Sequence, residues 1–425
     1  MICSSVETVF TPGEATQFPL KSSTFVGQLK RWNGRSLVMK VCMIGCWYKK
    51  DVYSHNWNQV VRRVSGEKNF SVRTVTSNCN CFSSSQKYGI CKDELLNDDC
   101  DVVKIPYAPL EPNPAYGVFK CAVVKYLRVN YLLEVLRGFA FFSKSRGCDV
   151  IHFDQVLRSF GILSLSILLV LAKTAGKKII VTVHELDPLQ SRFPVFNKFY
   201  NLADKITVYS ADLKTQLLEF GVSNDKVVVI PYGVSVEPLM DNPRDKFVYF
   251  GGHKLLTGKG FDTLLHALKI LESKGKEIKV LVYVGEGCIG HDEGKKMVTD
   301  MDLDSFVQWS DFLYSNRLTE TYQQSFACII PYTGSSGKYP ATCAMANATP
   351  VIATRKAGLP EYLGELGIYI RENSPDELAA AMIASMEDDD SMAQLRADLR
   401  RRAVKYYSYN VTVGTVLKVY DDLFA

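Results

Sequence analysis

The sequence predicts an α/β protein with two doubly wound parallel-sheet domains facing each other across a cleft. Three observations carry this. Its 425 residues exceed one ordinary core. Short β-branched runs alternate with helical segments, the pattern of parallel strands joined by right-handed crossovers. The alternation breaks once, at 232–245, where a glycine, two prolines and charges accumulate.

The first strand is expected at Met39–Cys46 (MKVCMIGC), beginning at a second methionine. Residues 1–37 before it read as an extra tail, polar and punctuated by Gly, Pro and Ser, with no apolar segment of the signal-peptide kind. Asp149–Phe153 is a short strand and 159–175 a buried helix. Its most apolar run, Phe160–Ala172, is too short to cross a bilayer, which needs about 20 residues. Lys178–His184 and Lys205–Ser210 are strands, and the helix Asp212–Phe220 stops at Gly221. Lys226–Pro231 closes the first half. The second half opens at Lys246 with the strand FVYFGG, then an amphipathic helix over Phe261–Lys274. Ile278–Val284 is a strand running into a Gly285-Glu286-Gly287 turn. Strands follow at Phe306–Trp309, Ala327–Pro331, Pro350–Thr354 and Gly367–Ile370, and helices at Asp376–Met386, 392–405 and Thr412–Phe424.

A net charge of +5 with interspersed signs gives no electrostatic footprint for nucleic acid. Twelve cysteines in a long chain are not a secreted disulfide framework, and a cytoplasmic protein with reduced thiols is expected. Cys79, Cys81, Cys91 and Cys100 cluster, but their spacing fits no zinc pattern. Phe119–Arg146 interleaves six basic residues with aliphatic and aromatic ones. That suits either a peripheral contact with an anionic membrane face or a core helix with a solvated basic side.

Ligands on open parallel sheets bind beyond the carboxyl ends of the strands. In the second half those positions read FGGHKLLTGKG, VGEG, SDF and PYTGSSGKYPAT. Glycines let backbone N–H groups approach a ligand, helix starts favour anions, and Lys254 and Lys259 add positive charge. Each piece alone is weak: Gly-x-Gly is often only a tight turn, and lysines are mostly solvated. Together, at successive strand ends, they describe a diphosphate cradle. His184 and, less strongly, His152 stand at strand ends in the first half, where a histidine is as often structural as functional.

These pieces, in order and spacing, resemble the retaining GT-B glycosyltransferases of the group 1, family-four type. The likeness rests on VTVHELDP (181–188), the stretch 201–234, YFGGHKLLTGKGFDTLLHAL (249–268), VLVYVGEG (280–287) and the stretch 331–363. It implies an acceptor domain over 38–236, a nucleotide-sugar donor domain over 237–406, and a closing helix within 407–425 that packs back on the first domain. It also implies a donor that is a nucleotide-diphospho-sugar, no metal or other cofactor, and a glycan, lipid-linked or small-molecule acceptor. Lys259 takes the place of the family lysine on the diphosphate. Lys254 stands for the family arginine, with His253 beside it, and Gly285, Glu286 and Gly287 match the turn beside the nucleotide. His184 matches the histidine facing the transferred sugar.

One departure stands out. The family's Glu-x7-Glu pair falls on Ser335 and Cys343, so neither carboxylate is present. Ser336 and Gly337 then offer a Ser-Gly loop at a helix start, suited to anionic oxygen, with Gly337 expected to lie against the ligand. The loss of both glutamates keeps a non-catalytic scaffold open as an alternative, alongside a nucleotide-sugar epimerase or phosphorylase of the same fold.

Overall fold

The computed structural model describes residues 39–45, 59–60, 63–64, 67, 70–77, 101–105, 129–155, 162–184, 200–241, 243–311, 316–334, 337–356, 358–387 and 390–424. The tail over 1–37, the four clustered cysteines, Ser335, Ser336 and the basic residues of 119–128 lie outside them, as do the side chains of His253 and Glu286.

The first sheet is parallel and seven-stranded. It comprises β1 (Met39–Gly45), β2 (Phe70–Ser77), β3 (Asp101–Ile105), β4 (Val150–Gln155), β5 (Lys178–Val183), β6 (Lys205–Val208) and β7 (Val227–Val229), in the order β3-β2-β1-β4-β5-β6-β7. Helices α1 (Val129–Lys144) and α2 (Ile162–Thr174) pack together, and α3 (Ala211–Glu219) links β6 to β7. The central strands are apolar along their length because both faces are covered: Ile179 through Val183 are all buried.

The second sheet has six parallel strands: β8 (Lys246–Lys254), β9 (Val280–Ile289), β10 (Val307–Asp311), β11 (Ser325–Ile330), β12 (Val351–Thr354) and β13 (Ile368–Ile370). Their order is β10-β9-β8-β11-β12-β13. Its helices are α4 (Phe261–Ser273), α5 (His291–Asp300), α6 (Asn316–Gln323), α7 (Lys338–Ala346), α8 (Leu359–Leu363) and α9 (Pro375–Met386). Two more close the chain, α10 (Asp390–Tyr407) and α11 (Tyr409–Asp422).

Both sheets therefore have the doubly wound order in which winding reverses beside the first strand, between β1 and β4 and between β8 and β11. A crevice forms at such reversals, and ligands enter there. The halves are joined twice. Val234 pairs with the α10–α11 junction, donating its N–H to Tyr407 O at 2.8 Å and accepting from Tyr409 N at 3.0 Å. Beyond that crossing α11 lies on the first sheet, its Tyr409, Val413, Val416, Val419, Tyr420 and Leu423 sharing a core with Val41, Met43, Val150 and Ile180.

One expected feature differs. The Gly285-Glu286-Gly287 turn is part of β9, which continues to Ile289. The register slips between the Gly252–Val284 and Lys254–Ile289 pairs, leaving more residues on β9 than on β8. Paired glycines permit this bulge because no side chain has to be placed while the strand bends.

Candidate active site

The second sheet's crevice is lined by the loops after β8 and β11. Gly258 O accepts from Thr333 N at 3.2 Å and Gly334 N at 3.3 Å, which ties the loops together. Gly260 has φ +67°, and a Cβ there would fall 2.2 Å from Pro331 O, so only glycine lets the chains approach this closely. Lys259, between these glycines, is anchored by its carbonyl, which accepts from the Tyr249 hydroxyl at 3.1 Å. Its ammonium lies 4.0 Å from the centroid of the buried Tyr332 ring and beside the backbone of Gly252. The ring face is negative, so it attracts the ammonium and helps hold the lysine there. Lys254 ends β8 and is partly exposed, opposite Ile289. The two lysines expected on a diphosphate thus stand on one strand–loop unit at the winding reversal.

Gly337 N-caps α7, but the position a side chain would take there faces inward. A Cβ would meet Ile330 Cγ2 at 2.6 Å and Leu359 Cδ2 at 3.2 Å, and φ is −105°. The expectation that a side chain here would crowd a ligand is therefore corrected: it would crowd the core, because the β11–α7 turn packs directly on α8. Cys343, where the second glutamate was expected, is buried in the core cluster, and burial pushes its thiol up to about 12.

Across the cleft, the first sheet's central strands end in a second cluster. His184, just past β5, is buried, its Nε2 2.6 Å from Asp154 Oδ1 on β4. The ring centroid is 4.8 Å from that of Tyr209, which follows β6. Tyr209 in turn stacks on Tyr232 at 4.0 Å with rings 2° from parallel. The Tyr362 hydroxyl of the second half donates to Tyr209 O at 2.7 Å and accepts from Tyr232 N at 3.1 Å. Neither Asp154 nor this tyrosine seam was singled out in the sequence; the partners lie 23 to 153 residues apart. His152 belongs elsewhere. It is fully enclosed between Tyr420 and Thr182, each 2.7 Å from a ring nitrogen, and is a structural residue.

Among the described residues no group of His, Cys, Asp and Glu is arranged to hold a metal ion, and no helix is long and apolar enough to cross a membrane.

Comparisons with known proteins agree with this architecture. Residues 244–388 match the family described as Glycosyl transferases group 1, and 96–238 match Glycosyltransferase Family 4. An MMP α-(1→4)-mannosyltransferase of Mycolicibacterium hassiacum is 25% identical over 65% of this chain and 71% of its own length. A phosphatidyl-myo-inositol mannosyltransferase of Mycolicibacterium smegmatis is 30% identical over 46% of this chain; the match spans about half, 52%, of that relative. Among solved structures, the sucrose-phosphate synthase of Thermosynechococcus elongatus superposes with a TM-score of 0.66 at 17% identity, covering 91% of this chain and 99% of that one. Anabaena HepE in complex with UDP and glucose gives 0.66 at 12% identity, covering 90% and 100%. Two winding reversals facing one cleft, with matches to both halves, place this chain among the group 1 glycosyltransferases of the GT-B fold.

Proposed function

We propose that this glycosyltransferase moves a sugar from a nucleotide-diphospho-sugar to a glycan, lipid-linked or small-molecule acceptor, with retention and without a metal. The observation that carries the reading is Lys259, held over Tyr332 where two glycine loops meet at the second sheet's winding reversal. Breaking the anomeric C–O bond leaves charge on the diphosphate. Preorganised cations at Lys259 and Lys254, with the start of α7, would hold that charge in the place of a metal. Gly285, Glu286 and Gly287 would border the nucleotide, with His253, Ser335 and Ser336 beside the diphosphate. His184, oriented by Asp154, would hydrogen-bond the transferred sugar. Holding donor and acceptor in one cleft supplies proximity.

Lys259→Ala and Lys254→Ala should each lower turnover by about 10²–10³-fold with little change in melting temperature. The check is calorimetric binding of UDP, GDP and their sugars, followed by turnover with whichever binds. Near-normal turnover in both variants would remove the diphosphate assignment. The absent glutamates at 335 and 343 favour one second reading, a non-catalytic scaffold, which predicts nucleotide binding without product.

A peripheral membrane contact is supported by α1, where Leu136 and Phe139 are 56% and 51% exposed, with Lys144 and Arg146 exposed nearby. The protein should float with vesicles containing anionic phosphatidylglycerol and not with pure phosphatidylcholine. Equal behaviour with both would assign this face to solvent.

A further inference from the structure

One contact between the halves is made at the start of α3, in the first half. Ser210 caps this helix, its Oγ accepting from Leu213 N at 3.3 Å. The next N–H, that of Ala211, has no partner inside the helix by geometry. It is taken from the other half: both carboxylate oxygens of Glu361, on α8, accept from it at 2.9 and 3.0 Å. A carboxylate is favoured there because the helix start carries partial positive charge. Lys338, the first residue of α7, reaches the same point, and its ammonium donates to Ser210 Oγ at 2.9 Å.

This arrangement is built rather than incidental. Lys338 is only 9% exposed and Ser210 is fully buried. A buried ammonium is costly unless it is hydrogen-bonded and paired. Lys338 has Glu361 beside it; burial raises the Glu361 carboxyl above its ordinary value, and the Ala211 N–H and the Lys338 charge pull it only part of the way back. The lysine also has a corridor. Gly358 adopts φ +72°, and a Cβ there would come within 2.3 Å of Lys338 Cε. Arg402 ties the far side of α8 in place through Tyr362 O at 2.6 Å and Glu361 O at 3.0 Å. Tyr209, next to Ser210, is the residue whose ring packs on His184.

We propose that Lys338 and Glu361 form a latch between the two halves: by gripping Ser210 and Ala211 they hold the cleft together and set where His184 stands relative to the loop that carries Lys259. They are positioning residues. The catalytic consequence rests on the transferase reading above; the mechanical one does not. Lys338 replaces nothing in the diphosphate cradle, since its ammonium is directed to the first half.

The test uses the full-length chain carrying Lys338→Met, Glu361→Gln or Gly358→Ala. Small-angle scattering without ligand should give a larger radius of gyration for Lys338→Met and Gly358→Ala. The increase should be smaller for Glu361→Gln, whose amide oxygen still accepts from Ala211. UDP affinity by calorimetry should stay within about twofold, because the cradle lies wholly in the second half. Turnover should fall about 10–100-fold with little change in KM for the donor, the signature of misplaced groups. Wild-type scattering in all three variants would overturn the latch. A large loss of UDP affinity with unchanged scattering would also overturn it and move Lys338 into the donor site. Scattering decides the matter even if no donor supports turnover, so failure of the latch and failure of the transferase reading are distinguishable.

Discussion

His152 and His184 stand on adjacent strands of the first sheet, and their neighbours give them opposite characters. His184 lies past the end of β5 with a carboxylate 2.6 Å away, a setting that fixes the orientation of its ring. His152 sits inside β4, in a chain of 2.7 Å contacts running from Tyr420 through His152 and Thr182 to Thr207. Burial lowers its pKa from 6.5 to about 3, so the folded protein keeps it neutral while the unfolded chain takes up a proton below pH 6.5. Its contribution to stability is therefore complete above pH 6.5 and is lost as pH falls toward 3, by about 1.4 kcal/mol per unit. His152→Asn should lose less stability than wild type between pH 6 and pH 4, as read from urea unfolding at both values. Parallel pH profiles would show that His152 is not neutral and enclosed. Spacing in the sequence could not separate these two histidines, because Tyr420 is 268 residues from His152. Lys338 escaped notice for the same reason: it lies inside a glycine-rich motif, and its partner Ser210 is 128 residues away.

Elements were legible where one rule governed them. The central strands β5, β6, β8 and β11 are buried on both faces, and their β-branched or aromatic runs agree with the sequence to within a few residues. The outer strands β2 (FSVRTVTS) and β3 (DVVKI) were not identified. β2 has only three apolar residues among its eight, and β3 is five residues long at the sheet's edge, so neither has the continuous apolar run that marks a buried parallel strand. The β9 error had a different origin. Gly-x-Gly satisfies a tight turn and a bulge equally well, and pairing with β8, a tertiary contact, decides between them. At Gly337 the helix start was legible, but the direction of the missing side chain was not, because that depends on Ile330 and Leu359.

At the scale of the whole molecule, chain order and structural unit differ: the last helix in sequence completes the first sheet. Tyr409, Val413, Val416, Val419, Tyr420 and Leu423 are each at most 7% exposed, and their core partners come from β1, β2, β4, β5, the pair Val60 and Val64, and the end of the first half. Burying a side chain of this size contributes about 1.5–3 kcal/mol, and a folded protein is stable by only about 5–15 kcal/mol in total. Six such losses come to about 9–18 kcal/mol, as large as that whole margin. The second half has its own core, from Phe247 and Leu264 through Ile329 to Leu399, none of it supplied by α11. Ending the chain at Ser408 should therefore unfold the first sheet and leave the second. Calorimetry should show part of the native unfolding enthalpy missing, and limited proteolysis should leave a protected fragment beginning near residue 240. If the shortened chain melts as one unit at the wild-type temperature, the first sheet is held by contacts other than α11, and the double crossing at Val234 is only a route for the chain.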